Sequence, residues 1–486
     1  MPALATECTQ RYDVAIIGAG VIGTLVAREL SRYALRVALL ERHNDVAQGT
    51  TKANSAIVHA GFDAKPGSRK AKMNVAGNRK MPELCQTLHV PFHRNGSLVV
   101  AFTPEEMPEL EALLARGQAN GVPELRLLSP AELHALEPNV NPDAVGALYA
   151  PTGGIISPFE LAIAAAECAL RNGVELYRNF AVEQITQTAE GFLLASPNGQ
   201  LAASLVVNAA GVHSDDVARM IGDDSFRILP RRGEYLLLDS ARGGVVTATI
   251  FQCPSKMGKG VLITPTVHGN VLIGPSAEDI DEKDDLSTTD PGLRGIQEAV
   301  HKSVPGFAIR DVITSFTGIR AHCDQDEFIL GASQVNPRMI HAAGIESPGL
   351  SAAPAIAEYI AALVYNAADA PGSKGNWIPG RPEPVRLREM TTEQRRAAIA
   401  QNPAYGRIVC RCETVSEGEI LEAIHAPAGA RDVDGVKRRT RAGMGRCQGG
   451  FCGTKVLEIL ARELDAPPES ITKSGGESAI LLEKTK

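Results

Sequence analysis

The 486-residue sequence is poor in aromatics. It has one tryptophan, and Phe, Trp and Tyr together make up 4% of the chain, which disfavours base-stacking nucleic-acid modules as its main function. Positive charge is not in excess. Forty-nine Lys and Arg against 56 Asp and Glu leave a net charge of −7, so nothing general attracts the chain to nucleic acid or to an anionic membrane. Long apolar runs are also missing. The longest charge-free stretch, Gly260–Ala277, carries His268, Asn270, two prolines and three glycines. It reads as turns and short strands, not as a membrane span. Met1–Gln10 lacks the basic start and apolar run of a secretory signal. Of the nine cysteines, Cys8, Cys85, Cys168, Cys253 and Cys323 are scattered and four cluster near the C-terminus. Scattered thiols without a signal point to a reducing cytoplasm.

What is present is an ordinary globular composition, 44% hydrophobic and 22% charged, which excludes disorder and collagen-like structure. The length suggests about three domains.

Arg11–Glu41 is the first informative segment. Val14–Ile17 reads as a buried parallel strand that meets Gly18-Ala19-Gly20-Val21-Ile22-Gly23, a GxGxxG turn. A helical pattern follows, with Ile22, Leu25, Val26 and Leu30 on one face, then a second strand, Val37–Leu40, ending at Glu41. Gly18 permits the tight turn, Gly20 lets backbone approach a pyrophosphate, and Gly23 lets helix pack on strand. The helix N-terminus offers unpaired N–H groups to phosphates, and Glu41 can accept from a ribose hydroxyl. This unit alone leaves FAD and NAD both open. Ser204–Gly211 and Arg338–Leu350 repeat the form of a strand ending in small residues, the latter followed by an Ala-rich helix over Ser351–Tyr365. Three such turns suit a long FAD better than one NAD.

Between these segments, Arg231–Leu238, Gly260–Thr264 and Asn270–Gly274 read as strands of a mostly antiparallel sheet, and Pro104–Ala119 and Pro130–Leu136 as helices. Arg320, after a strand expected at Val312–Phe316, has the fork to hold a carboxylate or phosphate. Lys256 and Lys259 lie in a glycine-rich PSKMGKG. For each of these cations a solvated surface charge is the competing reading. His59, in the small, uncharged NSAIVHAG, can take a proton from a substrate hydroxyl or can be a hydrogen-bonded core histidine.

Near the C-terminus Cys410-Arg411-Cys412 is followed by Cys447-Gln448-Gly449-Gly450-Phe451-Cys452. Four thiolates in a CxC and Cx4C arrangement suit a [2Fe–2S] cluster, whereas structural zinc usually takes wider hairpin spacings. Surrounding glycines can supply free N–H groups to the sulfurs. Lys437, Arg438, Arg439, Arg441 and Arg446 are expected to place positive charge beside the cluster and stabilise its reduced form. Trp377–Glu389, with three prolines, reads as a linker or a surface wrap. Thr391–Ala400, Glu417–Ile424 and Thr454–Leu464 read as helices.

The N-terminal unit, Asn54–Asn78, Arg231–Asp239 and Ala342–Tyr359 resemble the FAD-dependent glycerol-3-phosphate and L-2-hydroxyglutarate dehydrogenases of the D-amino-acid-oxidase-like superfamily. IVCRCETVSEGEI and KRRTRAGMGRCQGGFCGTKV resemble the bacterioferritin-associated-ferredoxin-like [2Fe–2S] domain. Together they resemble the family of catalytic subunits of anaerobic glycerol-3-phosphate dehydrogenases. The resemblance covers roughly Tyr12–Leu482.

It implies an α/β Rossmann-like FAD-binding domain (1–90, 150–220 and 315–370) with an inserted α+β substrate domain (91–149 and 221–314). A linker (371–404) and a small helical C-terminal iron–sulfur domain (405–486) would follow. FAD is implied along Gly18, Gly20, Gly23 and Glu41, with Thr51, Asn54 and Ser55 near the flavin. Val182, in a strand-like AVEQI, would meet the adenine, and Ala210 and Gly211 the dinucleotide. Gly344, Gly349, Leu350 and Ser351 would stand at the flavin end, Ser351 near its pyrimidine edge. His59 takes the place of the base, Arg320 grips the anionic group and Lys259 assists. Cys410, Cys412, Cys447 and Cys452 would ligate the cluster. The implied reaction is oxidation of a small anionic hydroxy compound, glycerol 3-phosphate or a 2-hydroxy acid. Electrons would leave to partner subunits, and any membrane contact would run through those partners. A non-catalytic flavin and iron–sulfur carrier is the alternative of another class.

Overall fold

The computed structural model describes residues 10–254, 260–306 and 309–483. Two sheets organise the first three-quarters of the chain. In the first, the fully apolar ends of Gln10–Ile17 and Val37–Leu40 pair in parallel. Gly199–Asn208 pairs in parallel with the other side of Gln10–Ile17, and Met339–Ala343 pairs in parallel with Gly199–Asn208. The central strands are buried on both faces because helices cover them, as crossover connections require. Val21–Leu30, Pro158–Arg171 and Gly349–Ala367 supply that cover, and their alanines and aliphatics form one core with the strands.

The second sheet has nine strands and is mostly antiparallel. Its centre is the long strand Ile228–Leu238, which pairs with Val312–Cys323 along nearly all its length. The expected return to the nucleotide domain at residue 315 therefore falls inside a strand of the second sheet. The ladder continues unbroken to Cys323, and the chain rejoins the first sheet only at Ile329–Ala332. The strands Leu262–Pro265 and Val271–Gly274 and the helices Met107–Ala119 and Pro130–Leu136 form where the sequence pattern puts them.

The Pro-rich segment after the long C-terminal helix of the nucleotide domain wraps along that domain. Trp377 donates to Ser31 Oγ at 3.0 Å and lies under the Arg32 guanidinium at 4.3 Å. Arg381 and Arg386 pair with the buried Glu167 and Glu160 at 2.8 and 3.0 Å. The C-terminal unit is a two-stranded hairpin, Ile408–Cys410 with Val415–Ser416, and three helices, Glu417–His425, Val433–Thr440 and Gly453–Glu463, around its own small core. Among the described residues no helix is long and apolar enough to cross a membrane.

Candidate active site and candidate cluster site

The GxGxxG turn is closed on itself. Gly18 has φ +104°, and a Cβ there would stand 2.4 Å from the Ala209 carbonyl oxygen. A Cβ on Gly23 would stand 1.9 Å from the Gly18 carbonyl oxygen. Both positions admit only glycine without displacing backbone. The helix that follows has no side-chain cap from its N-cap residue and no acid in its first turn, which leaves its positive dipole end suited to an anion. Val21 N–H donates to Thr51 Oγ1 at 2.9 Å, which ties the turn to the next loop. Glu41 is buried, and its carboxylate accepts from Ala19 N–H and His43 N–H, both at 3.0 Å. Burial pushes this carboxyl above its ordinary value, against the two N–H groups that favour the charged form.

These residues open onto a cavity of about 1930 Å³, larger than most small-ligand pockets. Gly18, Gly20, Glu41, Thr51, Asn54, Ser55, Val182, Ala210, Gly211, Gly349 and Leu350 line it together with His59 and Arg320. Gly23, Gly344 and Ser351 do not reach its wall. Gly23 serves helix-to-turn packing, and Gly344, at φ +64°, keeps a close approach to Cys323. Val182 lines the cavity from a loop; the strand begins only at Gln184, three residues after the start of AVEQI. Lys256 and Lys259 lie outside the described residues.

His59 is held by its backbone. Its N–H donates to Ser351 Oγ at 2.6 Å and its carbonyl accepts from Asn78 Nδ2 at 3.0 Å. Ser351 is fully buried, so its hydroxyl fixes the histidine segment from behind. The His59 ring lies 5.8 Å from the Phe251 ring, and Nε2 is 3.3 Å from Ser347 Oγ. Asn54 pins its own loop through the Thr50 and Thr51 carbonyls and the Ala56 N–H. Arg320 lies within the strand Val312–Cys323, not after it, and donates to the Ser276 carbonyl at 3.1 Å. Further cavity-lining residues escaped the sequence reading, Tyr235 and Arg231 among them. Tyr235 lines the cavity, its hydroxyl 3.2 Å from Ser55 Oγ and its ring stacked on Phe316 at 4.9 Å. Strand alternation from Arg231 through Gly233 to Tyr235 was the available signal.

The four C-terminal cysteines converge. Cys412 Sγ lies 3.8 Å from Cys447 Sγ. The Cys452 thiol, by hydrogen bonding to Cys410, holds the Cys410 thiol down to about 6, and N–H groups of Gly443 and Glu413 add to this. The N–H of Phe451 leads the groups that lower Cys447, with those of Gly449 and Gly450 helping. Burial and Cys447 raise the Cys412 thiol, and the hydrogen bond to Cys410 raises that of Cys452. The convergence of four sulfurs with N–H donors on Cys410 and Cys447 fits a thiolate cluster. Cys410 and Cys452 are buried, and Cys412 is exposed.

The basic run does not act as free charge beside this nest, which corrects the expectation. Arg438 and Arg439 turn away and grip Asp45 of the nucleotide domain at 2.9 and 2.7 Å. Arg441 pairs with Glu413 at 2.7 Å, and Arg446 with Asp239 at 3.0 Å. Arg438, Arg439 and Arg446 thus pair with carboxylates of the other domains, and Arg441, paired within its own domain, reaches across to Asn270 Oδ1 at 3.2 Å, so the run fastens domains together.

A dinucleotide cradle that opens on a cavity holding histidine and arginine, joined to a four-thiolate nest, defines a cofactor-dependent redox enzyme. The chain belongs to the FAD dependent oxidoreductase family, which it matches over residues 13–363, and residues 408–462 match the BFD-like [2Fe-2S] binding domain. It is 49% identical to a glycerol 3-phosphate dehydrogenase of Caloramator mitchellensis, over 98% of this chain and 99% of that one. It is 33% identical to the glycerol 3-phosphate oxidase of Mycoplasma genitalium, over 72% of this chain and 93% of that one. Among solved structures, the dithionite-reduced, FAD-bound L-alpha-glycerophosphate oxidase of Mycoplasma pneumoniae superposes with a TM-score of 0.73 at 32% identity. That match covers 76% of this chain and 98% of that one. The protein is an FAD-dependent oxidoreductase carrying a [2Fe–2S] domain.

Proposed function

We propose that the protein oxidises sn-glycerol 3-phosphate to dihydroxyacetone phosphate and passes the electrons through its [2Fe–2S] domain to a partner protein. One observation carries the reading. His59 and Arg320, far apart in sequence, line the same cavity as Gly18, Glu41, Thr51 and Leu350. The two glycerol-3-phosphate relatives support the substrate.

Gly18, Gly20 and the N-terminus of Val21–Leu30 take the pyrophosphate, Glu41 the ribose, and Val182 the adenine side. Thr51, Asn54, Ser55, Gly349 and Leu350 frame the flavin end. Arg320 binds the anionic group of the substrate and turns the carbinol carbon inward. His59 accepts the hydroxyl proton at Nε2 as the C–H bond breaks. FAD held there would supply the hydride acceptor, and a cluster held by Cys410, Cys412, Cys447 and Cys452 would supply a one-electron carrier. Exposed Cys412, with Phe451 at 89% exposure beside Cys452, supports onward transfer to a protein acceptor.

The test is anaerobic titration of the purified yellow-brown protein with a panel of alcohols. Bleaching of the flavin band by glycerol 3-phosphate is expected. Bleaching only by L-2-hydroxyglutarate or another 2-hydroxy acid would move the substrate class. No bleaching by any alcohol or amine, with reduction by a protein donor, would make the chain an electron carrier.

A further inference from the structure

We propose that Arg231 is a second anion-binding residue of the substrate site, held in reserve by Asp279, and that this pair fits the site to a phosphomonoester dianion. The inference rests on the oxidation of an anionic alcohol proposed above.

Three neighbouring strands place Asp279, Arg231 and Arg320 in one row. Arg231 is the direct cross-strand partner of Asp279 on one side and of Arg320 on the other. Residues directly opposite in an antiparallel ladder project from the same face, and all three line the cavity. Two like charges set opposite each other oppose strand pairing. A purely structural ladder has no reason to hold them there, whereas an anion between them does.

The neighbouring Arg232 shows the contrast. It projects from the other face, where it is buried against Glu278 and Asp285 at 2.6 and 2.9 Å. Arg231 is only partly buried. Its Nε and Nη2 meet the Asp279 carboxylate at 2.5 and 3.2 Å, and its Nη1 has no hydrogen-bond partner among the described residues. The Asp279 side chain is 67% exposed, so water replaces that ion pair at small cost. Among the described residues no carboxylate pairs with Arg320.

With Asp279 engaged, the row presents one uncompensated positive charge, enough for a carboxylate. A phosphate dianion draws Arg231 off Asp279 and meets two guanidinium forks. The device thus answers to the charge of the substrate's anionic group.

The test uses holoenzyme with glycerol 3-phosphate as substrate and inorganic phosphate as competing ligand. Arg231→Met is expected to raise the KM and the phosphate inhibition constant by about 10- to 100-fold, with kcat changed by less than about threefold. Arg231→Lys should recover part of that loss. Asp279→Asn, which releases Arg231, is expected to lower both constants by about two- to fivefold. Loss of a carboxylate by itself favours any nearby anion, so the tightening must be smaller when Asp279→Asn is made in the Arg231→Lys background; an equal gain there would assign it to charge alone. Unchanged or raised constants in Asp279→Asn would overturn the proposal, and that variant decides alone if Arg231→Met does not fold. If the wild type is not bleached by glycerol 3-phosphate, the functional reading fails by itself. Calorimetric binding of inorganic phosphate to wild type and Asp279→Asn then still decides the role of Arg231, tighter binding in the variant supporting it and equal or weaker binding refuting it.

Discussion

Arg439 closes both oxygens of Asp45, its Nη1 on Oδ2 and its Nη2 on Oδ1, each at 2.7 Å. The two residues belong to different domains, and Asp45 is fully buried. Asp45 stands four residues past Glu41. Ala47, two residues further on, donates its N–H to the Ala19 carbonyl inside the dinucleotide turn at 2.9 Å. The cluster domain is therefore bolted to the loop that follows Glu41 and is tied to the GxGxxG turn. Arg438 adds a second guanidinium to the same carboxylate.

Burial alone would raise the Asp45 carboxyl, but Arg439 and Arg438 hold it down to about 2. A depressed carboxyl contributes stability that is complete above its unfolded value and is lost as pH falls through the folded one. The contribution, on the order of 2 kcal/mol, should persist at pH 5, begin to fall below the ordinary carboxylate value and be gone near pH 2. Urea unfolding of wild type and Asp45→Asn as a function of pH checks this. The variant should be less stable by about 3 kcal/mol at pH 7, since it leaves buried Arg439 without its counterion and Arg438 with only the more distant Asp432 at 4.0 Å. Equal stability at pH 7 would remove the bolt from the account.

Gly318, itself in the cavity wall, packs against the loop of residues 50–55. A Cβ there would lie 1.9 Å from the Ala53 carbonyl oxygen. Gly318→Ala should push the segment from Thr50 to Ser55 into the cavity and weaken FAD binding by about tenfold or more. Flavin content after dialysis measures it. Full retention of flavin would mean that the loop yields without cost.

His59→Asn should slow substrate-dependent flavin reduction by about 100- to 10,000-fold, the usual range for loss of a general base. FAD should stay bound, because the backbone contacts of residue 59 to Ser351 and Asn78 do not involve the ring. Stopped-flow bleaching reads the rate. A rate within a factor of two of wild type would exclude the histidine.

Cys412→Ser should lose iron while retaining bleaching of the flavin by substrate. Cys412 is exposed, so its loss costs little of the small core around Cys410 and Cys452. Iron analysis and the visible spectrum separate the two centres. If flavin reduction disappears while FAD and fold remain, the one-way relay is wrong.

The sequence by itself determined the features whose parts are contiguous. The GxGxxG turn works through Gly18, Gly20 and Gly23 over one βαβ unit, and its steric demands are local. The CxC and Cx4C spacings likewise set each cysteine pair locally, while the small C-terminal core brings the two pairs together. Tertiary structure decided what depends on partners distant along the chain. The hydroxyl that pins His59 comes from 292 residues away, and Arg438 reaches Asp45 across 393. No periodicity encodes such meetings, so a basic run that reads as a field around the cluster became a fastening between domains. Cross-strand register did the same for Arg231, because one residue of slip would turn it from the cavity and put Arg232 in its place.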